Sequence, residues 1–156
     1  MLATLTGCVP TSPARTGLTG ITVNAEGRLA LVVAWCQQPP AGVIIYRRVN
    51  GQLEDQADLK APKLSGSPLF LDLEKIPPGW SLAEGDLKFR PGHQYLAGAY
   101  HAKTQGGTFR VSFTTASKTK QTAGRIVIQD HSGEQSGGVD VLLSTAEFVA
   151  RAQHYC

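Results

Sequence analysis

Charge is scarce in this 156-residue sequence, and what there is nearly cancels. Lys and Arg number 15 against 12 Asp and Glu, a net of +3. So small an excess is far from the footprint of a nucleic-acid binder. At 17% charged and 42% apolar, the composition also argues against a disordered or coiled-coil chain. Long hydrophobic runs are missing too, since none approaches the roughly 20 residues of a membrane-spanning helix. The spacings of common catalytic and cofactor sites are likewise absent. His93, His101, His131 and His154 pair neither with one another nor with a cysteine at metal-ligand spacing. Asp130, His131 and Ser132 are the residue types of a hydrolytic triad, but triad members converge from separate elements, and no G-x-S-x-G elbow accompanies them. The glycines between Gly133 and Gly138 lack the G-x-G-x-x-G spacing of a phosphate cradle. These absences lead to an expectation of no catalysis, no metal and no cofactor.

What is present is turn punctuation. Gly 17 and Pro 9, spread along the chain, favour many short strands over long helices in a single domain. The organising stretch is Leu29 to Tyr46, read as two strands around a loop containing Pro39, Pro40 and Gly42. Leu31, Val33 and Trp35 alternate with Ala30, Val32, Ala34 and Cys36, so both faces of the first strand are apolar. That is the pattern of a strand covered on both sides. Further strands are expected over Leu18 to Asn24, Val43 to Val49 and Leu69 to Leu73, with Asn50-Gly51 as a hairpin turn. Tyr95 to Ala102 and Thr108 to Thr115 read as a hairpin around Gly106-Gly107, and Gln52 to Ser67 as an edge segment and loop. Arg125 to Gln129 and Val139 to Leu143 supply two more strands after a polar loop at Ser117 to Thr122. Ser144 then opens a helix, with Glu147 completing a capping box and Leu143 and Phe148 at the staple positions. Its stripe of Phe148, Val149, Ala152, Tyr155 and Cys156 suits the outer face of the central strand.

Leu31-x-Val33-x-Trp35, Pro39-Pro40 and Tyr46 resemble the second and third strands of a fibronectin type III domain. Phe89-Arg90-Pro91-Gly92-His93-Gln94-Tyr95 resembles that fold's tyrosine corner, with Phe89 where leucine is usual. The resemblance spans residues 18–115. It implies an all-β fold, a fibronectin type III or immunoglobulin-like β-sandwich, with the C-terminal α-helix packed outside one sheet. Trp35 and Tyr95 are then expected between the sheets, and residues 116–156 form an extension docked on the same domain. For function this resemblance is nearly silent, because the sandwich hosts unrelated activities.

Leu5-Thr6-Gly7-Cys8 resembles a bacterial lipobox, in which the cysteine becomes the lipidated N-terminus. The Thr/Ser/Pro-rich stretch after it reads as a flexible tether, so residues 1–17 form a lipobox remnant and tether. Met1 to Gly7 supplies neither the basic region nor the longer apolar segment of a signal peptide, so either further residues lie upstream or Cys8 is an incidental thiol in an N-terminal tail. With Cys8 taken as a lipid anchor, Cys36 and Cys156 remain as a pair. A disulfide between them would strap the helix to the sheet, and would belong to an oxidising compartment. The rival is two free thiols and a frayed terminus. Lipobox, tether and Trp35-Cys36 together resemble actinobacterial lipoproteins, which implies an address on the outer face of the cell membrane and no activity.

For binding, the sequence offers Trp80 between Gly79 and Ser81, either an exposed anchor for a sugar or protein or, more commonly, a plug for the end of the core. Lys118, Lys120 and Arg125 form a modest basic cluster that could touch anionic polymer or lipid headgroups. Asp72 and Glu74, two apart, could pair as carboxylates or simply share a solvated face. The expected function is a lipid-anchored extracytoplasmic binding module, held to the membrane through Cys8, with an envelope protein or polysaccharide as partner. The alternative is an envelope hydrolase whose site, involving His131 or His101 with a carboxylate and a serine, assembles only in three dimensions.

Overall fold

The computed structural model of the protein describes residues 14–102, 106–130 and 138–156. Strands make up 48% of it and helices 10%, so the fold is mostly β. In chain order the strands are β1 (Arg15–Val23), β2 (Leu29–Ala34), β3 (Gly42–Val49), β4 (Gln52–Lys60), β5 (Leu69–Asp72) and β6 (Ser81–Gly85). They continue with β7 (Gln94–Tyr100), β8 (Gly107–Phe109), β9 (Val111–Phe113), β10 (Ile126–Asp130) and β11 (Val139–Leu143). Two helices accompany them, α1 (Ser117–Lys120) and α2 (Thr145–Gln153).

All eleven strands join one curled, open sheet with the path β11-β10-β1-β8-β7-β3-β4-β6. Off this path β2 pairs with β1 and β5, and β9 pairs with β7. The sheet is continuous because β1 serves several partners. It runs antiparallel to β2 from Leu18↔Ala34 to Val23↔Leu29, parallel to β8 through Arg15↔Gly107 and Leu18↔Phe109, and opposes β10 at Ile21↔Val127. The expected two-layer division therefore meets a strand that hydrogen-bonds on both sides of it. β1 also begins at Arg15, inside the stretch read as tether.

β2 carries the core on both faces, as its alternation requires. Leu31, Val33 and Trp35 point into the larger cluster with Val43, Ile45, Leu59, Tyr95 and Ala97. Val32 and Ala34 point the other way, into a second cluster with Leu18, Ile126, Ile128, Phe148 and Ala152. In the larger cluster Tyr95 is 1% exposed, and its hydroxyl accepts the Arg90 amide at 2.8 Å. Phe89 stands edge-on to it, 4.8 Å between ring centroids.

The helix packs as its sequence pattern demands. Ser144 Oγ accepts the Glu147 amide at 3.2 Å, and the Glu147 carboxylate accepts the Ser144 amide at 2.7 Å. These bonds satisfy amides that the first helical turn would leave orphaned. Leu143 and Phe148 meet in the smaller cluster and Tyr155 packs against it, while Val149 is half-buried and not part of that cluster. Cys36, just past β2, and Cys156, just past α2, are disulfide-bonded with their α-carbons 5.5 Å apart.

Three local expectations are corrected. β4 is a full strand and lies inside the sheet, because β6 covers its outer edge. β6 has no apolar alternation to announce it: all five residues are exposed, and pairing with β4 alone makes it a strand. The strand expected from Thr108 divides at Arg110 into β8 and β9. There the Thr108 hydroxyl turns inward, 2.6 Å from the Thr19 hydroxyl, and accepts the Ala99 amide. The polar loop after it holds one helical turn, α1.

Candidate functional site

Strand parity builds a concave face on the side of β3 and β7 away from the larger core. Val43, Ile45, Ala97 and Ala99 point inward, so Ile44, Tyr46, Arg48, Leu96, Gly98 and Tyr100 point outward. Across the pair, Tyr46 opposes Leu96 and Ile44 opposes Gly98. Gly98 has no side chain to fill the centre, and a Cβ there would lie 2.8 Å from Arg110 Cγ. The result is a hollow of about 410 Å³ walled by Tyr46, Tyr100, Asp58, Lys60, Arg15 and Arg110. A second hollow of about 290 Å³ adjoins it, sharing Arg15 and Arg110 and adding Arg48, Leu96, Ser112 and Gln129.

The two ends of this face differ electrostatically. At one end Tyr100 Oη donates to Asp58 at 2.8 Å and accepts from Lys60 Nζ at 2.7 Å, while Lys60 also reaches Asp58 at 3.0 Å. The Tyr100 hydroxyl and Asp58 hold the exposed Lys60 ammonium above its ordinary pKa. Burial, with the Asp58 hydrogen bond, pushes the Tyr100 phenol up as well. A raised phenol donates its proton less readily, and the three polar groups are bonded to one another.

The other end is rich in arginine. Arg110 lies over the Tyr46 ring, 4.9 Å from its centroid, at cation–π distance. Arg15 donates to the Thr108 carbonyl at 3.4 Å. Burial first, and then the Arg110 charge, hold the Arg15 guanidinium below its ordinary pKa. Among the described residues no ion pair engages Arg15, Arg48 or Arg110. Beside them the Gln129 carboxamide accepts the Ser112 amide at 2.6 Å and donates to the Ser112 carbonyl at 3.1 Å, tying β10 to β9.

The residues singled out from sequence fall elsewhere. Trp80 is 9% exposed and belongs to the larger core cluster, so its indole is packed in the core and not free for a ligand. Lys118 is bound to Glu74, while Lys120 is exposed on α1 with no ion pair among the described residues. Asp72 and Glu74 make no carboxylate pair; Glu74 is exposed beside Lys75, as a solvated face requires, and Asp72 is half-buried. Asp72 binds Arg28 at 2.6 Å and accepts the Glu74 and Lys75 amides, and Glu74 accepts the Leu29 amide at 2.7 Å. His101 Nε2 sits 3.3 Å from the Thr16 hydroxyl, and its Nδ1 is buried with no hydrogen-bond partner among the described residues. Neither the carboxylate nor the serine expected beside it is bonded to it among the described residues. Cys8, His131 and Ser132 lie outside the described residues.

Sequence reasoning passed over the arginines. Parity alone puts Arg48 outward from Tyr46 and Arg110 outward with Ser112, but nothing local brings Arg15 to them. Comparison of the chain with protein-family models, curated proteins and solved structures finds no match.

Proposed function

We propose that the protein is a non-catalytic binding module of the bacterial envelope, held outside the membrane by a lipid on Cys8. Its contact surface is the arginine-lined face of β3 and β7. The observation that carries the binding role is the gathering of Arg15, Arg48 and Arg110 around two adjoining hollows with no ion-pair partner among the described residues. Like charges held together oppose one another, and a bound anion relieves that repulsion.

A fibronectin type III-like frame is the finer reading of the curled sheet. In its support, β1, β2 and β5 pair as one layer, and β9, β7, β3 and β4 as the other. Trp35 and Tyr95 lie in the cluster between them. β6, β10, β11 and α2 are additions to that frame, and β1 bridges its layers as corner strands do in sandwiches. The Cys36–Cys156 bond agrees with an oxidising compartment.

The anchor is tested by intact-mass analysis of membrane fractions from an actinobacterial host expressing the gene with its upstream sequence. A diacylglyceryl group on Cys8, and release of the Cys8→Ala variant to the medium, are the expected results. A soluble, unmodified wild type would overturn the anchored reading.

A further inference from the structure

We infer that the junction of the two hollows binds a phosphate group carried on an organic molecule, with Arg15 and Arg110 as its principal ligands and Arg48 as an outer one. The inference takes the binding role of this face from the reading above and adds the chemistry of what it holds.

Three features lead there. First, Arg15 and Arg110 are shared by both hollows, so an anion between them has room for the remainder of its molecule on either side. Second, the two guanidinium-bearing residues come from different elements, β1 and the β8–β9 junction, and both line the same two hollows. A planar carboxylate is satisfied by one guanidinium fork. A tetrahedral phosphate presents oxygens in diverging directions and suits two. Third, Arg110 is already oriented, since the Tyr46 ring lies against it and Gly98 leaves space for its stem. Preorganisation of that kind lowers the entropic cost of binding.

Two carboxylates border the hollows, and one of them, Asp140, accepts the Gln129 carboxamide at 2.9 Å. Asp58 is engaged by both Lys60 and Tyr100 at the far end of the larger hollow. The Tyr100 and Ile44 side chains give that hollow a partly apolar wall for an organic body.

The test is an NMR titration of the full oxidised chain with glycerol 3-phosphate, inorganic phosphate, poly(glycerol phosphate) and polygalacturonate. Glycerol 3-phosphate is expected to shift the Gly98, Gly107 and Arg110 amides saturably and to bind more tightly than inorganic phosphate. Arg110→Gln should weaken it about tenfold or more, as loss of a charge-assisted fork does. Lys120→Gln, at an exposed charge, should change it by less than about twofold. Gly98→Ala, which crowds Arg110, should weaken it without unfolding the chain. Tighter binding of poly(glycerol phosphate) than of the monomer identifies a phosphodiester polymer as the source, and equal binding per phosphate identifies a small ester. Polygalacturonate binding as tightly as poly(glycerol phosphate), inorganic phosphate matching glycerol 3-phosphate, or an Arg110→Gln variant that binds like the wild type would each overturn the inference. None of these results bears on the Cys8 anchor, and failure of the anchor leaves the phosphate site standing.

Discussion

Removing the Cys36–Cys156 bond by the double change Cys36→Ser/Cys156→Ser should lower stability by an amount comparable to truncating a large core side chain. The bridge spans 120 residues and encloses every strand from β3 to β11 together with α2. In the chain-entropy account, a loop of that length restricts the unfolded ensemble by about 5 kcal/mol, with measured values commonly nearer 2–4. For a chain of this size, that corresponds to a fall of about 10–20 °C in Tm, at roughly 2–4 °C per kcal/mol. The folded state should change little, because α2 also packs through Phe148 and Ala152, which are buried in one cluster with Val32 and Ala34. Equilibrium urea unfolding, followed by the fluorescence of Trp35 and Trp80, reads the difference. The oxidised wild type, the same protein under reductant and the double variant should give a high midpoint and two matching lower ones. Alkylation and peptide mapping of the oxidised sample should find both cysteines protected. A loss below about 1 kcal/mol would refute the reasoning, since a real constraint on a loop this long cannot be so weak unless the unfolded chain is already compact.

The larger core is checked by two substitutions in the same assay. Trp35→Ala should cost about 3–5 kcal/mol, as truncation of a large buried aromatic does, whereas Tyr95→Phe, which removes only the acceptor for the Arg90 amide, should cost about 1 kcal/mol. Equal losses would mean that the corner hydrogen bond and not packing dominates there. Acid should destabilise the fold through Asp72 and Glu74. Burial opposes ionisation of both, but Arg28 with two backbone amides for Asp72, and Lys118 with the Leu29 amide for Glu74, outweigh it and hold both carboxyls below their ordinary values. A depressed folded-state pKa contributes stability above the unfolded carboxylate range of about pH 4, and that contribution is lost as pH falls through the folded values. The urea midpoint should therefore decline below about pH 4, and Asp72→Asn should flatten the decline. A variant as acid-sensitive as the wild type would place the titration elsewhere.

Much of the fold is written locally. Two-sided alternation from Leu29 to Cys36 determines that β2 is covered on both faces and that Trp35 and Cys36 point oppositely. Ser144 and Glu147 determine where α2 begins, and Asn50-Gly51, with φ of 49° and 77°, determines the β3–β4 turn. Each of these is a short-range relation, set by strand parity, by a cap or by a turn residue that accepts positive φ. The tertiary structure decided what those relations leave open. Ser81 to Gly85 is a strand only because β4 offers it a hydrogen-bonding edge. Trp80 is a core residue and not an anchor because the chain on either side carries its ring into the core. The arginine face exists because β1 runs parallel to β8, pairing Arg15 with Gly107 and bringing it beside Arg110. Positions 15, 48 and 110 share no period or motif, and a cluster assembled by non-local strand pairing leaves no trace in the spacing of its members.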